Sequence, residues 1–247
     1  MDSEVIIIGT IHGRHETVPG YTTQVLKEIL VSLSPDLIGV ELYGAYFNED
    51  GSIRDDILPR SPESQAGNHA AKKLGVPLLP YDKEGRDEYY RDTDYFGRLE
   101  RMNQRISTLL EKLSAEDPES LDLRLVQLAR EVALGQTAFY DHLTPKAINS
   151  EAFDRLMRVK RSLDQIIIAA VCAHPGYEDI TQEYAFFRDE WDERNRIMAE
   201  NIVALAARHL GGRVAITVGC EHRYMLRDLL SEKPGIVLRE YWEVLGK

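Results

Sequence analysis

Only two cysteines occur in 247 residues, Cys172 and Cys220, far apart and in neither a C-x-x-C nor a zinc-ribbon spacing. Their number and spacing argue against a disulfide framework and point to a reducing compartment. Basic residues are also scarce, since 30 Lys and Arg against 41 Asp and Glu leave a formal net charge of -11. A chain this acidic lacks the broad positive footprint that nucleic acid or an anionic membrane surface calls for. Long hydrophobic runs are missing as well. The longest, residues 166–173 (IIIAAVCA), is too short for a membrane span. Asp2 and Glu4 stand where a signal peptide needs basic residues. A cytoplasmic protein with no membrane span and no nucleic-acid partner is the expectation. The chain has no H-E-x-x-H, G-x-S-x-G, Walker loop or G-x-G-x-x-G, so the zincin, serine hydrolase, nucleotide-binding and Rossmann readings lose their main support.

What is present begins at residues 5–16, VIIIGTIHGRHE. Four β-branched residues in a row, with no apolar–polar alternation, describe a strand buried on both faces. His12 follows where such a strand hands over to its loop, at the carboxyl edge where open α/β sheets bind ligands. Thr22 or Thr23 can cap a helix carrying Val25, Leu26, Ile29, Leu30 and Leu33, and Pro35 stops it. A second apolar strand at 37–42 (LIGVEL) carries Glu41 near its end. Together these make a βαβ unit, which brings His12 and Glu41 out at one edge.

Ser61-Pro62 marks a helix that Gly75 ends, and a strand at 76–81 (VPLLPY) runs into Asp82, its prolines placing it near a sheet edge. From residue 85 to 209 the period is helical. Helices are expected at 94–113, from Asp117-Pro118 to Gly135, from Ser150 to 174–176, and at about 181–210. Residues 213–219 (RVAITVG) form another buried strand that delivers His222, residues 224–230 a short helix, and 236–244 (IVLREYWEV) a last half-exposed strand. The expected fold is α/β. A mainly parallel central sheet with flanking helices and an α-helical insertion at about 85–176 makes one domain of residues 1–247.

The candidate site is the carboxyl edge. Two imidazoles, His12 and His222, and the carboxylate of Glu41 suit a divalent transition metal with open positions for water; Mn, Co, Zn and Fe all remain candidates. The competing reading makes each histidine a loop-positioning hydrogen bonder. On the fourth helix Phe187, Trp191, Met198, Ile202 and Leu205 share a stripe, and Arg194 falls on it. A guanidinium on an apolar face needs an acidic partner or a ligand, here Glu41 or a substrate anion, unless it snorkels to the surface. Asn195 is adjacent and can serve the same site. His15, three residues after His12, reads as a cap of the following turn, with membership of the site as the alternative, and His69, His142, His174 and His209 read as surface residues.

GTIH at 9–12, SPDLIGVEL at 34–42, ERNRIM at 193–198 and VGCEH at 218–222 are similar in type, order and spacing to the TraB/PrgY, GumN and Tiki family. The blocks cover both ends of the chain and not its helical middle. The resemblance implies a metal-dependent hydrolase site built from the two G-x-x-H histidines, His12 and His222, and the strand glutamate, Glu41, with Arg194 and Asn195 matching the family's helix pair. Activities around this superfamily differ. Tiki proteins are metalloproteases, erythromycin-esterase-like relatives hydrolyse esters, ChaN-like relatives bind haem iron, and the PrgY type dampens peptide-pheromone signalling. The chain departs from the family pattern at Glu221, at 223–225, where a glycine is usual, and within 43–47, where an arginine is.

The leading expectation is a metal-dependent hydrolase of a peptide, amide or ester, with a peptide or small-molecule substrate and a homodimer among the possible assemblies. Glu41 would ligate the metal or act as general base, and Arg194 with Asn195 would orient that carboxylate or stabilise an oxyanion. The alternative is a non-catalytic peptide-, haem- or metal-binding protein using the same rim. A third reading makes the same residues a buried polar network.

Overall fold

The computed structural model describes residues 2–117, 120–139 and 142–246. In chain order the elements are β1 (Ser3–Thr10), α1 (Thr23–Leu33), β2 (Leu37–Val40), α2 (Pro62–Leu74), β3 (Leu78–Pro80), α3 (Arg86–Asp92), α4 (Tyr95–Glu116), α5 (Leu121–Phe139), α6 (Pro145–Ile148), α7 (Glu151–Cys172), α8 (Ile180–Ala207), β4 (Arg213–Gly219), α9 (Cys220–Ser231), β5 (Ile236–Arg239) and α10 (Tyr241–Leu245). The fold is α/β, and all strands pair in parallel in the order β3-β2-β4-β1-β5. No helix among the described residues is long and apolar enough to cross a membrane.

The chain divides into two compact units, Met1–Glu84, Ala138–Arg155 and Arg194–Lys247 forming one and Gly85–Thr137 and Leu156–Glu193 the other. In the sheet unit, side chains alternate across the strands. Val5 and Ile7, with Val214, Ile216 and Val218, pack under Met198, Ile202 and Leu205 of α8 and Leu226 and Leu230 of α9. Ile6, Ile8, Ile38 and Val40 point the other way and are completely buried, and α2 lies over Ile38, Val40 and Leu78 closely enough that its Gly67 has no room for a Cβ. Thr22 caps α1 by accepting from Val25 N–H, Ser61 caps α2 by accepting from Ser64 N–H, and Gly75 ends α2 at φ +70°. The strand with two prolines sits at the sheet edge, where a missing N–H costs no ladder bond.

The helical unit has its own core, in which Met102, Ile106 and Leu109 of α4 meet Ala129 of α5, Ile167 and Val171 of α7 and Phe187 of α8. Arg105 donates twice to Asp179 at 2.7 Å.

Several boundaries differ from the sequence reading: β2 stops at Val40 rather than at 42, so Glu41 lies just past it, and β3 covers only Leu78–Pro80 of the expected 76–81. The last strand stops at Arg239 rather than at 244, because Glu240 and Glu243 form a reciprocal capping box that starts α10. The helix after β4 begins at Cys220 rather than 224, Gly219 turning the strand straight into it. α5 continues through Gly135 to Phe139; Pro118, part of its expected start, lies outside the described residues.

Candidate active site at the carboxyl ends of the strands

β1, β2 and β4 end side by side, with Thr10 opposite Gly219 and Val40 opposite Thr217. Parallel pairing therefore brings His12, two residues past β1, Glu41, the first residue past β2, and His222, in the first turn of α9, to one edge. Each glycine of the two G-x-x-H motifs lies close against the opposite motif or the residue just after it. A Cβ on Gly219 would stand 2.4 Å from Nε2 of His12 and 3.6 Å from Oε2 of Glu41. One on Gly9 would meet Cys220 Cα at 3.3 Å and the Arg223 stem at 3.1 Å. Each glycine lets a neighbouring strand's motif approach its backbone.

Arg194 is the hub. Its Nε and Nη2 donate to the two carboxylate oxygens of Asp82 at 2.8 and 2.9 Å, Nη2 also donates to Glu41 Oε1, and Nη1 donates to Nε2 of His222 at 3.0 Å. Glu41 accepts from Gly219 N–H on its other oxygen at 2.7 Å. Because an arginine can only donate, Nε2 of His222 accepts, and Nδ1 carries the proton that Asn195 Oδ1 takes at 2.9 Å. His12 turns Nδ1 to Glu63 Oε1 at 2.9 Å. Asp82 and Asn195 are buried and Arg194 nearly so, whereas the His12 side chain is 63% exposed and opens the cluster to solvent.

The electrostatics follow from these contacts. Burial alone would raise the Glu41 pKa, but the Arg194 guanidinium beside it, the charge of His12 and the Gly219 N–H hold it well below the usual carboxylate range. Burial, and then the adjacent guanidinium, push His222 down to about 3, so its ring is neutral. For His12, desolvation is outweighed by the hydrogen bond to Glu63 and by the charges of Glu41 and Glu63, which raise it to about 9. Desolvation of Glu63 is outweighed in turn, chiefly by His12, which brings it down to about 2.

The structure thus gathers His12, Glu41, Asp82, Arg194, Asn195 and His222. His15 stays apart: buried, it accepts from Ile11 N–H and donates to Tyr21 O, tying the turn that follows His12. His69 and His142 are exposed, His174 and His209 half-buried. Cys220 is buried at the start of α9. Two contributors escaped the sequence reading. Glu63 looks there like an ordinary acid in a helix's first turn, its one signal being the polar S-P-E start beside the rim. Asn149 gives none. β5 pairs with β1 only from Ser3 to Ile6, and Asn149 replaces a neighbouring strand at Gly9, accepting from its N–H at 2.6 Å and donating to its carbonyl at 3.1 Å.

Among the described residues no three His, Cys, Asp or Glu side chains already surround one point as a metal centre, and Arg194 stands between Glu41 and His222. The donor set nevertheless fits a divalent transition metal. Each imidazole has its Nδ1 engaged by a fixed acceptor, the arrangement that orients metal-binding histidines. The three carboxylates Glu41, Glu63 and Asp82 also outnumber the one guanidinium among them. No protein family, curated protein or solved structure matches this chain.

Proposed function

We propose that the protein is a cytoplasmic metal-dependent hydrolase of a peptide, amide or ester. One observation carries the reading: two imidazoles with engaged Nδ1 atoms and an ionised carboxylate meet at the ends of three adjacent parallel strands. The motif resemblance to the TraB/PrgY, GumN and Tiki proteins supports it. His12 and His222 would hold the cation through Nε2, and Glu41 through its carboxylate, with the Arg194 bond to His222 giving way and His12, charged near neutral pH in the metal-free protein, losing its Nε2 proton to solvent. A divalent transition metal bound there supplies Lewis acidity toward a carbonyl.

The chain's own groups do the rest. Glu41, with one oxygen on Arg194 and the other on a backbone N–H, is fixed as a carboxylate, which suits holding a cation better than carrying a proton. Arg194, clamped by Asp82, sets the position of Glu41 and places positive charge beside the rim, where negative charge develops on a carbonyl oxygen during acyl transfer. Asn195 keeps the proton of His222 on Nδ1. The open side of His12 is the approach for substrate.

The test is the metal content of protein purified without chelator, beside His12→Ala and His222→Ala, followed by peptide and ester hydrolysis assays. Near-stoichiometric Mn, Co, Zn or Fe in the parent, lost in both variants, with turnover that follows the metal, is the expected result. A parent that neither carries nor takes up metal overturns the reading. Metal, haem or peptide binding without product moves the protein to the non-catalytic class.

A further inference from the structure

The His12 ring is not held by packing. Its side chain is 63% exposed, and its backbone sits in the left-handed region at φ +50°, where a non-glycine residue persists only when its surroundings fix it. What meets the ring is Glu63, with Oε1 2.9 Å from Nδ1. Glu63 is itself only 6% exposed. The Thr10 hydroxyl reaches its Oε1 at 2.8 Å and the Ser61 hydroxyl its Oε2 at 2.9 Å. Thr10 ends β1 and Ser61 caps α2, so the sheet and the helix together fix the carboxylate.

We infer that Glu63 is a positioning residue that accepts a hydrogen bond from Nδ1–H of His12 and so turns Nε2 toward the rim. The inference deepens the reading of His12 as a metal-holding residue and rests on it. A carboxylate behind an imidazole fixes the ring and makes it a stronger donor, and loss of such a partner weakens metal affinity by about 10- to 100-fold. A purely structural Glu63, placed for the positive end of α2, would alter stability and leave His12 untouched.

The experiment compares the full chain with Glu63→Gln, Glu63→Ala and His12→Ala. It uses proton NMR of the imidazole N–H region and zinc affinity by chelator competition, with thermal unfolding as the check on folding. The wild type should show a far-downfield, exchange-protected N–H that is missing from His12→Ala and Glu63→Ala. Zinc should bind about 10- to 100-fold more weakly to Glu63→Ala. Glu63→Gln, which keeps an acceptor oxygen without the charge, should fall between, with its N–H moved upfield. A His12 N–H that persists in Glu63→Ala overturns the inference, as does wild-type zinc affinity in that variant. If Glu63→Ala fails to fold, an unmoved N–H in Glu63→Gln overturns it instead. A wild type that takes up no zinc sinks the metal reading alone, and the N–H signal then decides whether Glu63 holds His12.

Discussion

Arg194 and Arg223 are both buried guanidiniums clamped by carboxylates, and their surroundings differ in charge and in access. Arg223 is completely enclosed. It donates to Asp154, to both oxygens of Glu240 at 2.9 and 2.7 Å, and to the carbonyl of Ile7 at 3.3 Å, while Arg227 brings a second guanidinium to Glu240 at 2.8 Å. Within that group two positive side chains face two negative ones, and it joins β1, α7, α9 and the start of α10. Around Arg194 the carboxylates are in excess, and the exposed His12 connects them to solvent. Burying a charge is tolerable only when it is paired and hydrogen-bonded. A charge-matched group around a fully enclosed guanidinium serves as a brace, whereas the acidic excess beside the exposed His12 is where the proposed cation would sit.

Substitutions can break that contrast, beginning with the brace. Arg223→Met takes the guanidinium from the buried Asp154 and the half-buried Glu240 and should cost about 3 to 5 kcal/mol of stability in urea unfolding. An unchanged unfolding midpoint would mean that Arg223 braces nothing. Asn149→Ala should cost less, about 1 to 3 kcal/mol, because it strips the buried N–H and carbonyl of Gly9 of a side-chain partner. Faster amide exchange at Gly9 is the local check, and unaltered exchange would show that the β1 edge does not depend on Asn149. Gly219→Ala should change stability least, by under about 1 kcal/mol, since the exposed His12 ring can swing clear of the new methyl. The same variant should lose metal uptake. Undiminished uptake would separate His12 from the site and leave the Arg194 group as a second brace.

The parts of the fold that were legible in the sequence were those with a single physical solution. The runs at 5–8 and 213–219 are apolar without alternation, and only a strand covered on both faces hides them. The alternation after residue 236 reads as one strand to 244, and the capping box at Glu240, a local signal that reading passed over, ends it at Arg239 and starts a helix. In the site, His12, Glu41, Asp82 and His222 could be read because each follows a strand end, and Arg194 because a charge interrupts an apolar stripe. Three other residues could not. Glu63, Asn149 and Arg223 carry local signals of a helix start, a connecting segment and a helix interior, and their roles depend on groups brought in from distant parts of the chain.

That the two histidines and Glu41 emerge at one edge was determined by the sequence alone, because parallel strands joined by helices present all their carboxyl ends on one side, whereas the strand order that sets β4 between β1 and β2 was not. The tertiary structure decided which way each imidazole faces and which charges meet it. Those choices are made by Glu63, Asn195 and Arg194 across long chain separations, where neither periodicity nor spacing carries information.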